Sequence, residues 1–398
     1  MARVRVLLVT GVVGGGVGRH VRELAHDLVA AGHDVVLAAP RAVVVGFDLP
    51  ATGATVREVE VGVAGPRALA RAQIRLGALA RGADVVHAHG MRAGAAAALA
   101  VGRSGHRVGA PSRRRGSTPL VVTSHNGPPE GRAAAWTYAA LEVVVYRRAD
   151  LVLGVSADLV ERARARGARG AGLAVVPSAG AVPATDAERQ AARQDLRTEL
   201  GVPPSAAVVL TAGRLAAQKR VDRLIEAHRT LVNDPRLAAP PVLVVVGDGP
   251  LGAALREQAG RGGGGVHFLG RRADVPRLLA GADVVVSCAV WEGQPLVLQE
   301  ALAAGAPIVA TDVGGTAALL EGAGVLVTGG GCAGRTTQPD PVVAALVGAI
   351  GDLLTDPDAR DALSDRARAR AARLPTGRDA LEAALTAYRS VLGRSATP

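Results

Sequence analysis

Aromatic side chains are scarce: Phe, Trp and Tyr together make up 2% of the 398 residues. Proteins that grip single-stranded nucleic acid stack bases on rings interleaved with basic groups. No such interleaving occurs here, and a nucleic-acid partner is not expected. Long apolar runs are lacking too. The chain is 49% hydrophobic, but this is Ala and Val dispersed in short runs, none approaching the roughly 20 residues of a spanning helix. The N-terminal run leads into a Gly-rich turn with no small-residue cleavage site, so it reads as a first strand and not as a signal peptide. Cysteine is limited to Cys288 and Cys332, which have no metal-binding spacing or pairing pattern. They read as unreactive thiols of a reduced, cytoplasmic protein.

Acidic residues are outnumbered, 35 against 46 basic ones, for a formal charge of +11. Such a balance points to an anionic partner, a phosphorylated substrate or an anionic membrane surface. The basic interval 103–118, with Arg113, Arg114 and Arg115, reads first as a solvated loop and second as a contact with the inner face of the cell membrane. The Gly/Thr-rich interval 329–339 also reads as a surface loop. Lysine is almost missing: Lys219 is the single one, and its survival in so Arg-biased a chain invites a chemical explanation.

What is present is a repeated alternation. The length exceeds what one core usually supports and suggests two domains of roughly 180 residues. Apolar runs at 4–10, 34–39, 84–87, 120–124, 151–155 and 174–176 read as strands with helices between several of them, the first helix spanning 21–31. After a proline-bearing stretch at 177–206 the scheme restarts, with strands at 208–211, 242–246, 266–269, 283–287, 307–311 and 325–327. The expected fold is α/β: two facing doubly wound, parallel-sheet, Rossmann-like domains with a cleft between them. The expected boundaries are 1–180 and 205–375, followed by a terminal segment at 376–398. Ala384, Leu385, Tyr388 and Val391 recur there at helical spacing.

Three segments follow strands and carry chemistry. Gly14-Gly15-Gly16-Val17-Gly18 opens the first helix, where small residues let backbone amides approach an anion. It matches neither the G-x-x-x-x-G-K-S/T phosphate loop nor the full dinucleotide fingerprint. The second strand ends in Ala39-Pro40 with no acid for a ribose, so hydride transfer is disfavoured. Gly213-Arg214-Leu215-Ala216-Ala217-Gln218-Lys219 puts two cations at a strand-to-helix connection, a fork and a point charge suited to a diphosphate. In the third segment Glu292 is followed by Gly293, Gln294, Pro295, Leu296 and Val297. Pro295 suits the first turn of a helix, the amides ahead of it would face a ligand, and Glu300 follows. A glycosidase pair lies about 5–9.5 Å apart, whereas eight helical residues span about 12 Å; the two carboxylates read as separate grips on one long ligand.

His125 ends a first-domain strand and suits proton transfer or orientation of a hydroxyl. His87 and His89 alternate along a strand end, but without further ligands nearby no metal site is expected. Asp356-Pro357-Asp358 reads as a helix-start turn.

Together these motifs resemble glycosyltransferase family 4, retaining enzymes with the two-domain GT-B fold. The resemblance runs from about residue 3 to 390. It rests on Gly15-Gly16, Asp84-Val85-Val86-His87, His125, Gly213-Arg214 with Lys219, Gly247-Asp248-Gly249-Pro250, Glu292 with Glu300, and Gly314-Gly315. It implies that Arg214 and Lys219 hold the donor diphosphate, that Glu300 holds the ribose, and that Glu292 with the backbone at 293–297 holds the transferred sugar. Gly15 and Gly16 would close on the phosphates, and His125 and Glu292 would be the catalytic pair. The terminal helix would cross back to the first domain. The donor would be UDP- or GDP-linked, without cofactor or metal, and the acceptor a small molecule or a lipid-linked glycan. Two departures stand out: Gln294 replaces the family's usual aromatic or small residue, and Pro177-Ser178-Ala179-Gly180 replaces its Pro-Asn-Gly linker. A GT-B sugar-nucleotide epimerase and a non-catalytic nucleotide-sugar-binding protein are the alternatives.

Overall fold

The computed structural model describes residues 3–61, 66–101, 118–129, 131–262, 264–328 and 340–394. Arg113, Arg114, Arg115, Cys332 and the interval 329–339 lie outside them. Contacts divide the chain into two units, one comprising Met1–Val176 with Pro375–Pro398, the other Pro177–Leu374.

The first unit runs β1 (Arg5–Thr10), α1 (Gly16–Ala30), β2 (Asp34–Ala39), α2 (Arg41–Gly46), β3 (Thr55–Glu58), α3 (Pro66–Ala80), β4 (Val85–His89), α4 (Met91–Val101), β5 (Leu120–Ser124), α5 (Arg132–Arg148), β6 (Leu151–Gly154), α6 (Ala157–Ala165) and β7 (Ala171–Leu173). Its strands form one parallel seven-stranded sheet ordered β3-β2-β1-β4-β5-β6-β7. The central strands are buried along their length, as parallel strands covered on both faces must be. One face packs on Ala- and Val-rich α3, α4 and α5 around Leu76, Ala97, Val122 and Val145. Each such buried Val or Leu is worth about 1.5–3 kcal/mol.

The second unit runs α7 (Asp186–Leu200), β8 (Val208–Ala212), α8 (Val221–Leu231), β9 (Val242–Val246), α9 (Gly252–Gly260), β10 (Val266–Gly270), α10 (Val275–Gly281), β11 (Val284–Ser287), α11 (Leu296–Ala303), β12 (Ile308–Thr311), α12 (Thr316–Leu320), β13 (Val325–Val327), α13 (Pro341–Thr355) and α14 (Pro357–Ala371). Its parallel six-stranded sheet is ordered β10-β9-β8-β11-β12-β13. Two apolar clusters, around Leu210 and Leu302 on one side and Leu224 and Leu346 on the other, cover its faces. The last helix, α15 (Gly377–Arg394), belongs to the first unit and packs on α1.

Several elements differ from the sequence expectation. The first helix starts at Gly16, five residues earlier than the apolar spacing suggests, because the turn ends at Gly15 with φ +56. Gly18 therefore lies inside α1, where any Cβ would sit 2.2 Å from the Phe47 ring. The sixth strand is Ala171–Leu173, and 174–176 continues past it as irregular chain. β3 was missed because Thr-Val-Arg-Glu is an edge strand, mostly exposed and without a buried apolar run. The stretch 177–206 is no linker: the second unit begins at Pro177. Within it α7 is closed by a Thr185/Glu188 capping box and by left-handed Gly201. Arg197 of this helix reaches buried Asp283 at 2.6 Å, and the same carboxylate accepts the Val208 amide at 2.7 Å. Asp356 does start a helix, its carboxylate accepting from the Ala359 amide at 2.9 Å. Among the described residues no helix is long and apolar enough to cross a membrane.

Candidate functional site

In an open parallel sheet the crevice lies beyond the carboxyl ends of the strands where the order reverses. In the second unit that place is between β8 and β11, and the loops that leave these two strands are bound to each other. The β8 loop is first fixed to the β9 loop: Gly213 donates to the Val246 carbonyl at 2.9 Å and Leu215 to that of Asp248 at 2.9 Å. A Cβ at Gly247 would lie 1.9 Å from the Gly213 oxygen, and one at Gly249 would lie 2.4 Å from the Leu215 oxygen. The glycines of Gly247-Asp248-Gly249-Pro250 thus serve backbone packing under the cation loop.

Beyond Arg214 the chain makes a single 3-10 turn at Ala217–Lys219 and leaves it through Arg220, a non-glycine residue in the left-handed region at φ +46. The turn is anchored from the β11 side. Val290 donates its amide to the Gln218 carbonyl at 2.9 Å, and the Gln218 side-chain amide donates to the Trp291 carbonyl at 2.7 Å. The Cys288 thiol donates to the Arg220 carbonyl at 3.0 Å and that of Lys219 at 3.4 Å. Burial pushes this thiol up to about 12, out of the reactive range.

These bonds deliver Lys219 to Glu292, and the two side chains form an ion pair. The Glu292 side chain is 9% exposed and that of Lys219 30%, so the pair is partly desolvated and stronger than a surface pair. Glu292 is held by its backbone as well. Its carbonyl accepts from Gly315 at 2.9 Å, and left-handed Gly314 approaches so closely that a Cβ would lie 1.9 Å from that oxygen. Arg214 is exposed, and among the described residues its guanidinium has no ion-pair partner.

Pro295 is the cap preceding α11, in an extended conformation, and not a first-turn residue. Its carbonyl accepts from Leu298 at 3.0 Å and Gln299 at 3.2 Å. The amides of Leu296 and Val297 precede the helix's own bonding and form its positive end. Gly293, Pro295 and Leu296 are buried, while Gln294 and Val297 are partly exposed. Glu300 lies one turn into α11 at 2% exposure and accepts the Ser178 hydroxyl at 2.6 Å.

The strand ends of the first unit have another character. Gly15 and Gly16 are solvent-accessible at the N-terminus of α1. Beneath that helix, the face of the sheet opposite the Ala-rich one gathers His87 and His89 from β4, His125 after β5 and His20 from α1. Ring centroids lie 4.2 Å apart for His87 and His89 and 5.4 Å apart for His89 and His125. His125 Nε2 is 3.1 Å from His89 Nδ1. His87 Nδ1 meets Tyr388 Oη of α15 at 2.9 Å, and its Nε2 meets Thr123 Oγ1 at 2.8 Å. Both ring nitrogens of His87 are thereby used.

Burial holds His20 at about 4 and His87 at about 3, and with the neighbouring rings drives His89 and His125 well below the ordinary range. All four are neutral at pH 7. His125 can therefore act as a neutral hydrogen-bonding group but not as a cationic acid. The roles of His20, Tyr388 and Ser178 were not read from the sequence, because each depends on a partner at least 67 positions distant. On the exposed face of α5, Trp136 is 73% exposed, the most open large hydrophobic residue described.

Comparison with known proteins agrees with this division. Residues 15–179 match the family model described as Glycosyl transferase 4-like domain, and residues 206–356 match Glycosyl transferases group 1. Each half thus matches a glycosyltransferase family model, and the two parallel-sheet units are those of the GT-B fold. It is 32% identical over 241 residues to a D-inositol 3-phosphate glycosyltransferase of Corynebacterium urealyticum, covering 56% of this chain and 52% of that one. It is 32% identical over 130 residues to the putative teichuronic acid biosynthesis glycosyltransferase TuaC of Bacillus subtilis, covering 32% and 30%. The matches thus span about half or less of these curated relatives. Among solved structures, Anabaena Alr3699/HepE, determined in complex with UDP and glucose, superimposes with a TM-score of 0.78 at 20% identity, over 98% of this chain and 100% of that one.

Proposed function

We propose that the protein is a retaining, metal-independent hexosyltransferase that takes its sugar from a nucleoside diphosphate, UDP- or GDP-linked, and delivers it to an acceptor hydroxyl. The observation that carries this reading is the binding together of the β8 and β11 loops. It brings the single lysine against Glu292, with the exposed Arg214 on the same loop and the start of α11 close in sequence.

Arg214 and Lys219 hold the diphosphate and, with the amides ahead of α11, stabilise the charge that grows on it as the glycosidic bond breaks. That supplies the positive field a metal would otherwise give. Glu292 and the backbone of Gly293, Gln294, Pro295, Leu296 and Val297 orient the sugar, and Glu300 accepts from the ribose hydroxyls. Gly15 and Gly16 of the first domain offer backbone amides suited to a phosphate. Neutral His125 orients the acceptor side by hydrogen bonding, and the leaving diphosphate takes the acceptor proton on the same face. The UDP and glucose bound by Alr3699/HepE support the donor class. The two curated relatives carry names from different settings, D-inositol 3-phosphate and teichuronic acid biosynthesis, so they do not single out one acceptor. A small molecule or lipid-linked glycan, met in the cytoplasm or at an anionic membrane surface, fits the basic chain.

The test is a thermal-shift titration with UDP, GDP, ADP and their common sugar conjugates, because a ligand bound only by the folded state raises its apparent stability. One base should stabilise the wild type selectively. Lys219→Ala, which removes a charge and leaves Glu292 unpaired, should weaken that ligand about 100-fold. No shift with any nucleotide in a well-folded wild type overturns the donor assignment. Sugar isomerised without acceptor would point to the epimerase, and an inverted anomeric centre in the product would overturn retention.

A further inference from the structure

The second domain opens with Pro177-Ser178-Ala179-Gly180, and this segment lies along α11. The Ser178 amide donates to the side-chain oxygen of Gln299 at 2.8 Å, and its hydroxyl donates to Glu300 Oε1 at 2.6 Å. Farther on, the Ala184 amide reaches the Ala303 carbonyl at 3.2 Å. Ser178, Gln299 and Glu300 are all buried. The direction of the hydroxyl is settled by its other neighbour: the Gly180 N–H approaches Ser178 Oγ at 3.3 Å and can only donate, so the hydroxyl hydrogen goes to Glu300. Gly180 comes so close that a Cβ there would lie 2.8 Å from Glu300 Oε1. One carboxylate oxygen is thus fixed by a hydroxyl, and the close approach of the chain to it requires a residue without a side chain.

We propose that Ser178 is the positioning residue for the ribose grip: it fixes the rotamer of Glu300 so that the carboxylate meets a ribose hydroxyl of the donor, and Gly180 is the space this arrangement requires. This rests on the donor reading above. A glutamate side chain has three rotatable bonds, and without a fixed point it would have to be ordered each time a nucleotide binds. The segment and the carboxylate are 122 positions apart in sequence, yet both belong to the second domain, so the effect lies within that domain.

The experiment measures the affinity of the full chain, by calorimetry, for UDP and GDP and for their 2′-deoxy and 3′-deoxy counterparts. Wild type should prefer the ribonucleotide of its base over at least one deoxy form by about tenfold, the worth of a hydrogen bond to a charged group. Ser178→Ala should lose most of that preference while binding the deoxy form within about twofold of wild type. Ser178→Thr, which keeps the hydroxyl, should restore it, and Gly180→Ala should lose it as Ser178→Ala does. A merely structural role for Ser178 would lower all nucleotide affinities together and leave the ratio unchanged. Discrimination in wild type that survives in Ser178→Ala overturns this inference and leaves the donor reading standing. Absence of discrimination in a wild type that still binds nucleotide overturns the ribose role of Glu300 and this inference with it. Absence of any nucleotide binding overturns the donor reading itself.

Discussion

The two domains share a parallel sheet, yet their strand ends are built from opposite electrostatic materials. In the second, Lys219 and Glu292 meet as full charges, with Arg214 open to solvent. In the first, four histidines are packed neutral beneath α1 and α15. The difference follows from how each group is held. Backbone bonds fix the charged residues in loops at the carboxyl ends of β8 and β11, where Lys219 and Glu292 are each other's counter-ion and Arg214 is open to water. The imidazoles lie on the covered face, where carrying a proton would mean burying a cation without a counter-ion. A charged end suits a phosphorylated ligand, and a neutral end suits uncharged hydroxyls.

Acid should break this contrast with the largest effect. His20 and His87 titrate near 6.5 when unfolded but at about 4 and about 3 when folded, and burial with the neighbouring rings holds His89 and His125 well below their ordinary range. The unfolded chain therefore takes up more protons as pH falls, and the stability of the first domain is full above 6.5 and declines from there toward about 4. His20 and His87 each remove about 2 kcal/mol by pH 5, and His89 and His125 act in the same direction. In the second domain His228 is the one described histidine that burial depresses. Calorimetry at pH 7 and pH 5 should show the transition of the first domain falling much farther; equal shifts would deny that the imidazoles are held neutral.

Tyr388→Phe sharpens the comparison at the neutral end. It removes the hydroxyl that meets His87 and should cost about 1–3 kcal/mol, because a buried imidazole nitrogen loses its partner. Chemical denaturation followed in the first domain would measure the loss, with nucleotide affinity unchanged. The smallest effect is expected from Cys288→Ala, which takes weak thiol bonds from the Lys219 turn while the Gln218 bonds remain; nucleotide affinity should fall by no more than about threefold. The native thiol should also resist alkylation at pH 8 until the domain unfolds, and fast labelling of the folded protein would contradict its burial.

Much of the architecture was legible because parallel strands leave a simple mark. β5 and β9 fall where apolar runs place them, since strands covered on both faces must be apolar throughout. Charged candidates were legible from their position after strands and, for Lys219, from rarity. Partnerships over long separations were not. Lys219 and Glu292 are 73 positions apart, Ser178 and Glu300 are 122, and His87 and Tyr388 are 301. Periodicity in one segment contains nothing about such distances. Gly18 shows the same limit: it looked like part of an anion loop, and its requirement is set by the ring of Phe47.

The chain has two tryptophans, Trp136 on α5 and Trp291 beside Glu292, and each domain has received one. Trp136 is largely in water, so its emission should be red and readily quenched by iodide, whereas Trp291 is partly shielded by the loops that converge on it. Each half of the protein thus contains its own optical label. The closing of the Lys219 and Glu292 loops, a contact that requires β11 to pair with β8, could be timed by the colour of one indole while the other reports separately on the first domain.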